Sequence, residues 1–160
     1  MSIDDVRALR RAGKHHDARD LAVKLASQTP EDAELQFEAA WVHDFLGLEA
    51  EAVPYYLAAL AGDLSPEQLR QAYLGLGSTY RVLGDYTRAE RILTEGVARF
   101  PDANELKTFL AMVLHNIGRS KDAVELLLSL LAETSADENI RRYREAIANY
   151  ACDIDHRPES

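Results

Sequence analysis

The chain has 160 residues, of which 47% are apolar and 28% charged, and carries a formal charge of −9. That size and apolar share suffice for a buried core in one domain and exclude a disordered chain. The acidic balance argues against nucleic acid or an anionic membrane as partner, because both attract a basic field.

The N-terminal stretch MSIDDVRALRR opens with Ser2 and Asp5 at capping-box spacing and predicts a short first helix. It leads into a locally basic run, Arg7, Arg10, Arg11, Lys14, His15 and His16. Four segments then share one pattern: GKHHDARDLA from Gly13, GLEAEAVPYY from Gly47, GDYTRAERIL from Gly84 and GRSKDAVELL from Gly118. In each, an alanine (Ala18, Ala52, Ala89, Ala123) stands five residues after the glycine, and the glycines are spaced 34, 37 and 34 residues apart. Hydroxyls at Thr29 and Ser65, each followed by proline, predict helix starts, as does Ser135 with Glu138. Pro54 falls inside a predicted helix, where a kink is expected. Beyond the last copy, Ile140, Tyr143, Ile147 and Tyr150 recur at helical spacing and predict a capping helix.

A 34-residue period with glycine between two helical segments resembles the tetratricopeptide repeat. Residues 70–103 form the best copy, with Tyr73, Leu76, Gly77, Tyr80, Gly84, Ala89 and Pro101 in phase with that family's pattern. The resemblance implies an all-α fold, a right-handed α-solenoid of antiparallel helix pairs. Repeats are expected at about 1–32, 33–69, 70–103 and 104–137, with a capping helix at about 138–152. Together these make one domain over 1–152, followed by a frayed tail over 153–160. The first copy is the poorest.

In this family the first helix of each pair lines a concave groove. Carried onto this sequence, the partner-binding positions are Arg7, Arg10, Phe37, Trp41, Asp44, Phe45, Leu74, Ser78, Arg81, Val82, Met112 and His115. Phe37, Trp41 and Phe45 stand at i, i+4 and i+8, an aromatic stripe that either floors the groove or packs against neighbouring helices. The consensus tryptophan position holds Gln36 instead. Arg10, Asp44, Arg81 and His115 occupy one equivalent position in the four repeats, so Asp44 either bridges the arginines or leaves them to grip a partner's carboxylate. The carboxylate clamp known in the family fits neither register, whose positions include Ile3, Glu38 and Gly75 in place of Lys and Asn.

Catalytic signatures are lacking. Gly75-Leu76-Gly77-Ser78-Thr79 has no lysine of a phosphate loop, and His43 and Asp44 point about 100° apart on a helix. The single cysteine, Cys152, excludes an internal disulfide, and no cluster has zinc spacing, so neither metal nor cofactor is expected. No apolar run reaches the ~20 residues of a membrane span, and a cytoplasmic location is expected. The expected function is not enzymatic. It is an adaptor or scaffold binding another protein or peptide segment, one with apolar anchors and an acidic group. The alternative is a homo-oligomeric assembly module, and a small-molecule sensor or enzyme ranks below both.

Overall fold

A computed structural model describes residues 1–157. Among them all regular structure is helical: α1 (Ile3–Arg11), α2 (His15–Gln28), α3 (Ala33–Phe45), α4 (Glu49–Ala61), α5 (Pro66–Val82), α6 (Tyr86–Arg99), α7 (Asn104–Asn116), α8 (Ser120–Thr134), α9 (Glu138–Arg142) and α10 (Arg144–Cys152). The four repeat glycines fall between the two helices of each pair, with φ of 73°, 73°, 77° and 82° at Gly13, Gly47, Gly84 and Gly118. At Gly47 the reason is visible. The Leu48 N–H reaches back to the His43 carbonyl at 2.9 Å and the Gly47 N–H to Asp44 at 3.0 Å, closing α3 with a left-handed residue that only glycine adopts cheaply.

The helix starts show where sequence signals compete. Ser65 behaves as expected: its hydroxyl accepts from the Gln68 backbone N–H at 3.2 Å and the Gln68 side-chain Oε1 accepts from the Ser65 N–H at 3.1 Å. Thr29 instead ends α2, its hydroxyl donating to the Leu25 carbonyl, and Asp32 caps α3 by accepting from Leu35 at 3.1 Å. Likewise Ser135 closes α8, while Asp137 caps α9 by accepting from Asn139 and Ile140. In both places a nearby aspartate takes the cap from the hydroxyl. The expected kink at Pro54 gives no break, since α4 runs through it.

Two compact units divide the chain at Ile92/Leu93. In the first, α1 to α5 pack in sequence, and α3 also touches both α1 and α5. Its core joins Val6, Ala18, Ala22, Ala39 and Val42, flanked by Leu9, Leu21, Leu25 and Leu46. The repeat alanines Ala18 and Ala52 are fully buried, because only a methyl group fits where the two helices of a pair approach. Burying a side chain such as Val42 or Leu76 contributes about 2 kcal/mol. Gln36, at the consensus tryptophan position, is buried and donates to the carbonyls of Pro30 at 3.1 Å and Ala26 at 3.4 Å, so a polar group stands there without an unmet hydrogen bond.

In the second unit α7 packs on α8 around Ala111, Leu114 and Ala123, and α10 packs on α8. The expected capping helix is broken at Tyr143 into α9 and α10. Its contact with the unit runs through half-buried Ile147 and buried Ala151, while Tyr143 and Tyr150 are exposed. Part of the segment expected to fray is held: Lys121 Nζ lies 2.6 Å from Asp153, and the Ile154 N–H donates to Glu125 at 3.0 Å. Residues 158–160 of that expected tail lie outside the described residues.

Candidate partner-binding surface

In the first unit, α1, α3 and α5 carry ten of the twelve expected contact positions, and the structure sorts them. Phe37 is corrected: it is 5% exposed and packs edge-on against Tyr56 with centroids 6.5 Å apart, so it belongs to the core. It sits one turn deeper along α3 than Trp41, where α4 closes over the helix. Trp41 and Phe45 form a stacked pair, 5.2 Å apart with planes inclined by 12°. Trp41 is half-buried and Phe45 is 56% exposed.

Two groups hold this pair. The Arg10 guanidinium lies over the indole at 4.3 Å, and the His15 ring rests against Phe45 at 4.0 Å. In the sequence His15 stands only as part of a locally basic run. Its ring contact comes from the α1–α2 turn folding over the end of α3, which no local pattern signals.

Two arginines of α1, Arg7 and Arg10, are engaged. Arg7 Nε donates to Glu38 at 2.9 Å and its terminal nitrogen to Glu34 at 2.7 Å, while Arg10 lies 3.4 Å from the other Glu38 oxygen. Glu38 is 3% exposed, a buried carboxylate that locks α1 onto α3. The Glu38 hydrogen bond, foremost, and that of Glu34 raise the Arg7 pKa further, and Arg7 in turn holds the Glu34 carboxyl below its ordinary range. Glu34 and Glu38 sit four residues apart and present one acidic face to α1. That pairing was legible in spacing but overlooked.

Asp44 does not bridge Arg10, whose carboxylate is Glu38. It accepts instead from the Tyr56 hydroxyl at 3.1 Å. Tyr56 reaches it because Gly75 on α5 leaves room, a Cβ there colliding with the phenol. Burial raises the Asp44 pKa, the like charge of Glu49 adds to the rise, and the hydroxyls of Tyr56 and then Thr79 oppose it. The Thr79 hydroxyl is buried without a formed hydrogen bond, and acts more weakly than Tyr56. On α5, Leu74, Ser78 and Arg81 are half-buried and Val82 is 61% exposed. Met112 and His115 lie on α7 in the second unit, both exposed, with His115 Nδ1 3.0 Å from the Ser120 hydroxyl. Among the described residues no cluster of His, Cys, Asp and Glu is placed to hold a metal, and no helix is long and apolar enough to cross a membrane.

Helical hairpins with a left-handed glycine in each turn and a small residue five positions on define a helical-repeat protein. The sequence model of the tetratricopeptide repeat matches residues 33–154, and the chain belongs to that family. The match begins at α3 and leaves out residues 1–32, the copy that fits the pattern least. The fold resembles the crystal structure of MamA with a TM-score of 0.71, at 16% identity over 95% of this chain and 94% of that one. No curated protein matches the sequence. Family and fold together support a protein-interaction scaffold, and tetratricopeptide-repeat proteins are typically non-enzymatic.

Proposed function

We propose that the chain is an adaptor that takes a segment of another protein on the face of α1, α3 and α5. The observation that carries this reading is Phe45, a large aromatic more than half exposed yet fixed by Trp41 and His15. An exposed ring normally keeps its rotamer freedom; one already ordered loses little entropy when a partner covers it. Aromatic and arginine anchors of this kind dominate binding energy at interfaces. Leu74, Ser78, Arg81 and Val82 extend the surface along α5. An acidic group on the partner docks at exposed Arg11 and Lys14, since Arg7 and Arg10 already serve Glu34 and Glu38. The adaptor acts in the cytoplasm, and cell fractionation tests that location.

The test is affinity capture from native lysate with the wild type beside a Trp41→Ala/Phe45→Ala variant. Partners retained equally by both would defeat the assignment.

A second reading, self-assembly, is favoured by one observation. Val124, Leu127 and Leu131 stand at i, i+3 and i+7 on α8 and are all exposed. Such a row on one helix face suits pairing between copies. Sedimentation across a concentration series decides it, and a constant monomer mass at micromolar concentration would eliminate this reading.

A further inference from the structure

Helix α1 presents two stripes at helical spacing. One carries Arg7 and Arg10, which turn to Glu34 and Glu38 of α3. The other carries Ala8, Leu9 and Ala12, and with Leu21 of α2 these line an open groove of about 430 Å³. Ala8 and Ala12 are exposed, and their methyl groups, four residues apart, leave a hollow between the two helices. The leucines floor it, each half-buried and packed inward on the core around Val6 and Ala22. Met1 lines the groove as well and is 80% exposed, so apolar surface stands open to water there.

Two charged side chains border the same groove, Asp5 and Lys14. Asp5 is already served: it accepts from the Ser2 N–H at 2.7 Å and lies 3.9 Å from the terminal ammonium. Lys14 is exposed, makes no cap hydrogen bond and has no ion pair among the described residues. It stands at the N-terminus of α2, where the helix dipole adds to its attraction for an anion. The groove therefore offers an apolar hollow with one uncompensated positive charge on its rim. An anionic membrane would meet that charge too, but the chain's −9 opposes such a surface.

We propose that this groove takes a leucine- or phenylalanine-sized side chain of the bound protein, with a neighbouring aspartate or glutamate on Lys14. Because Lys14 borders the hollow itself, one short segment meets both features. The assignment rests on the reading of Lys14 as the dock for the partner's acidic group, and it carries that partner onto the α1–α2 groove.

The probe is a displayed library of random peptides selected on the intact protein. Wild type should enrich peptides with an acidic residue within about four positions of a large apolar one. Ala8→Gln, a change at an exposed helical position, fills the hollow and should weaken a selected peptide about tenfold. The same peptide with glutamine for its acidic residue should bind wild type about threefold more weakly, and Lys14→Ala should abolish that difference. Peptides lacking the acidic–apolar pair, or unchanged affinity in folded Ala8→Gln, would overturn the groove. If Trp41→Ala/Phe45→Ala releases those same peptides, the α1–α3–α5 surface survives that failure. Peptides lost by Ala8→Gln but kept by Trp41→Ala/Phe45→Ala would support the groove and remove the α1–α3–α5 face as the partner surface. A wild-type dimer in sedimentation that Ala8→Gln dissociates would put a second copy in the groove and overturn the proposal.

Discussion

Arg7 and Glu38 stand 2.9 Å apart, Nε to Oε1, and the carboxylate of the pair is almost wholly buried. A carboxylate out of water without its cation is costly, so the pair fixes where α1 docks. Arg7→Ala should destabilise the first unit by about 3 kcal/mol, because it leaves Glu38 buried beside only the longer contact to Arg10. Denaturant unfolding of the two proteins checks this. Arg7→Ala/Glu38→Gln should recover part of the loss, since no buried charge is then stranded.

Arg10 and Trp41 give a spectroscopic handle, because Trp41 is the sole tryptophan. Arg10→Ala should uncover one face of the indole and shift its emission to longer wavelength, with a stability loss of about 1 kcal/mol. An unchanged spectrum would place the guanidinium elsewhere in solution.

Two glycines should fail for different reasons. Gly47→Ala places a side chain on a residue with φ of 73° and should cost about 1–2 kcal/mol through backbone strain alone, as nothing lies near its Cβ. Gly75→Ala should cost roughly 2 kcal/mol through collision with Tyr56, and the displaced phenol should release Asp44. Thermal melts of both, and of Gly75→Ala with Tyr56→Ala, separate the two causes, because only the Gly75 variant can be rescued at Tyr56.

Acid titration should separate two carboxylates of α3. Glu34 has its pKa lowered, chiefly by the Arg7 hydrogen bond, so the stability it contributes is present above the ordinary glutamate range and is lost as pH falls through its folded value. Asp44 has its pKa raised, chiefly by burial, so the folded state binds that proton more readily than the unfolded chain, and stability is lost as pH rises through its folded value. Carboxyl chemical shifts across the acid range should show Glu34 titrating below an ordinary glutamate and Asp44 above an ordinary aspartate. The stability of Asp44→Asn relative to wild type should improve from acid to neutral pH.

Salt should loosen the C-terminal segment. Lys121 meets Asp153 at 2.6 Å and Asp155 at 3.4 Å, all of them in contact with solvent. Hydrogen exchange at Ile154 and Asp155 should quicken in high salt and in Lys121→Ala, with no change in α7.

The hairpins were legible in the sequence because they depend on short-range rules. A glycine at a left-handed turn and an alanine five residues on are local requirements of one helix pair, so they repeat with the pair and are visible without coordinates. The candidate site was legible only in part. Spacing placed Phe37, Trp41 and Phe45 on one stripe, but α4 covers the first and leaves the last open, a difference set by a neighbour and not by the stripe. The helix starts at Thr29 and Ser135 were misread because an aspartate two or three residues on competes for the same N–H groups.

The sequence by itself determined the helices, their turns and the family, since periodicity and backbone conformation are properties of neighbouring residues. Tertiary structure alone decided which charges are spent. Arg7 and Arg10 could have faced a partner, yet packing of α1 on α3 brings them to Glu34 and Glu38, 27 to 31 residues away along the chain. The same packing leaves Asp44 with a phenol for company, because Tyr56 arrives from another helix through the gap at Gly75. Electrostatic pairing depends on distance in space, and residues this far apart acquire that distance only on folding.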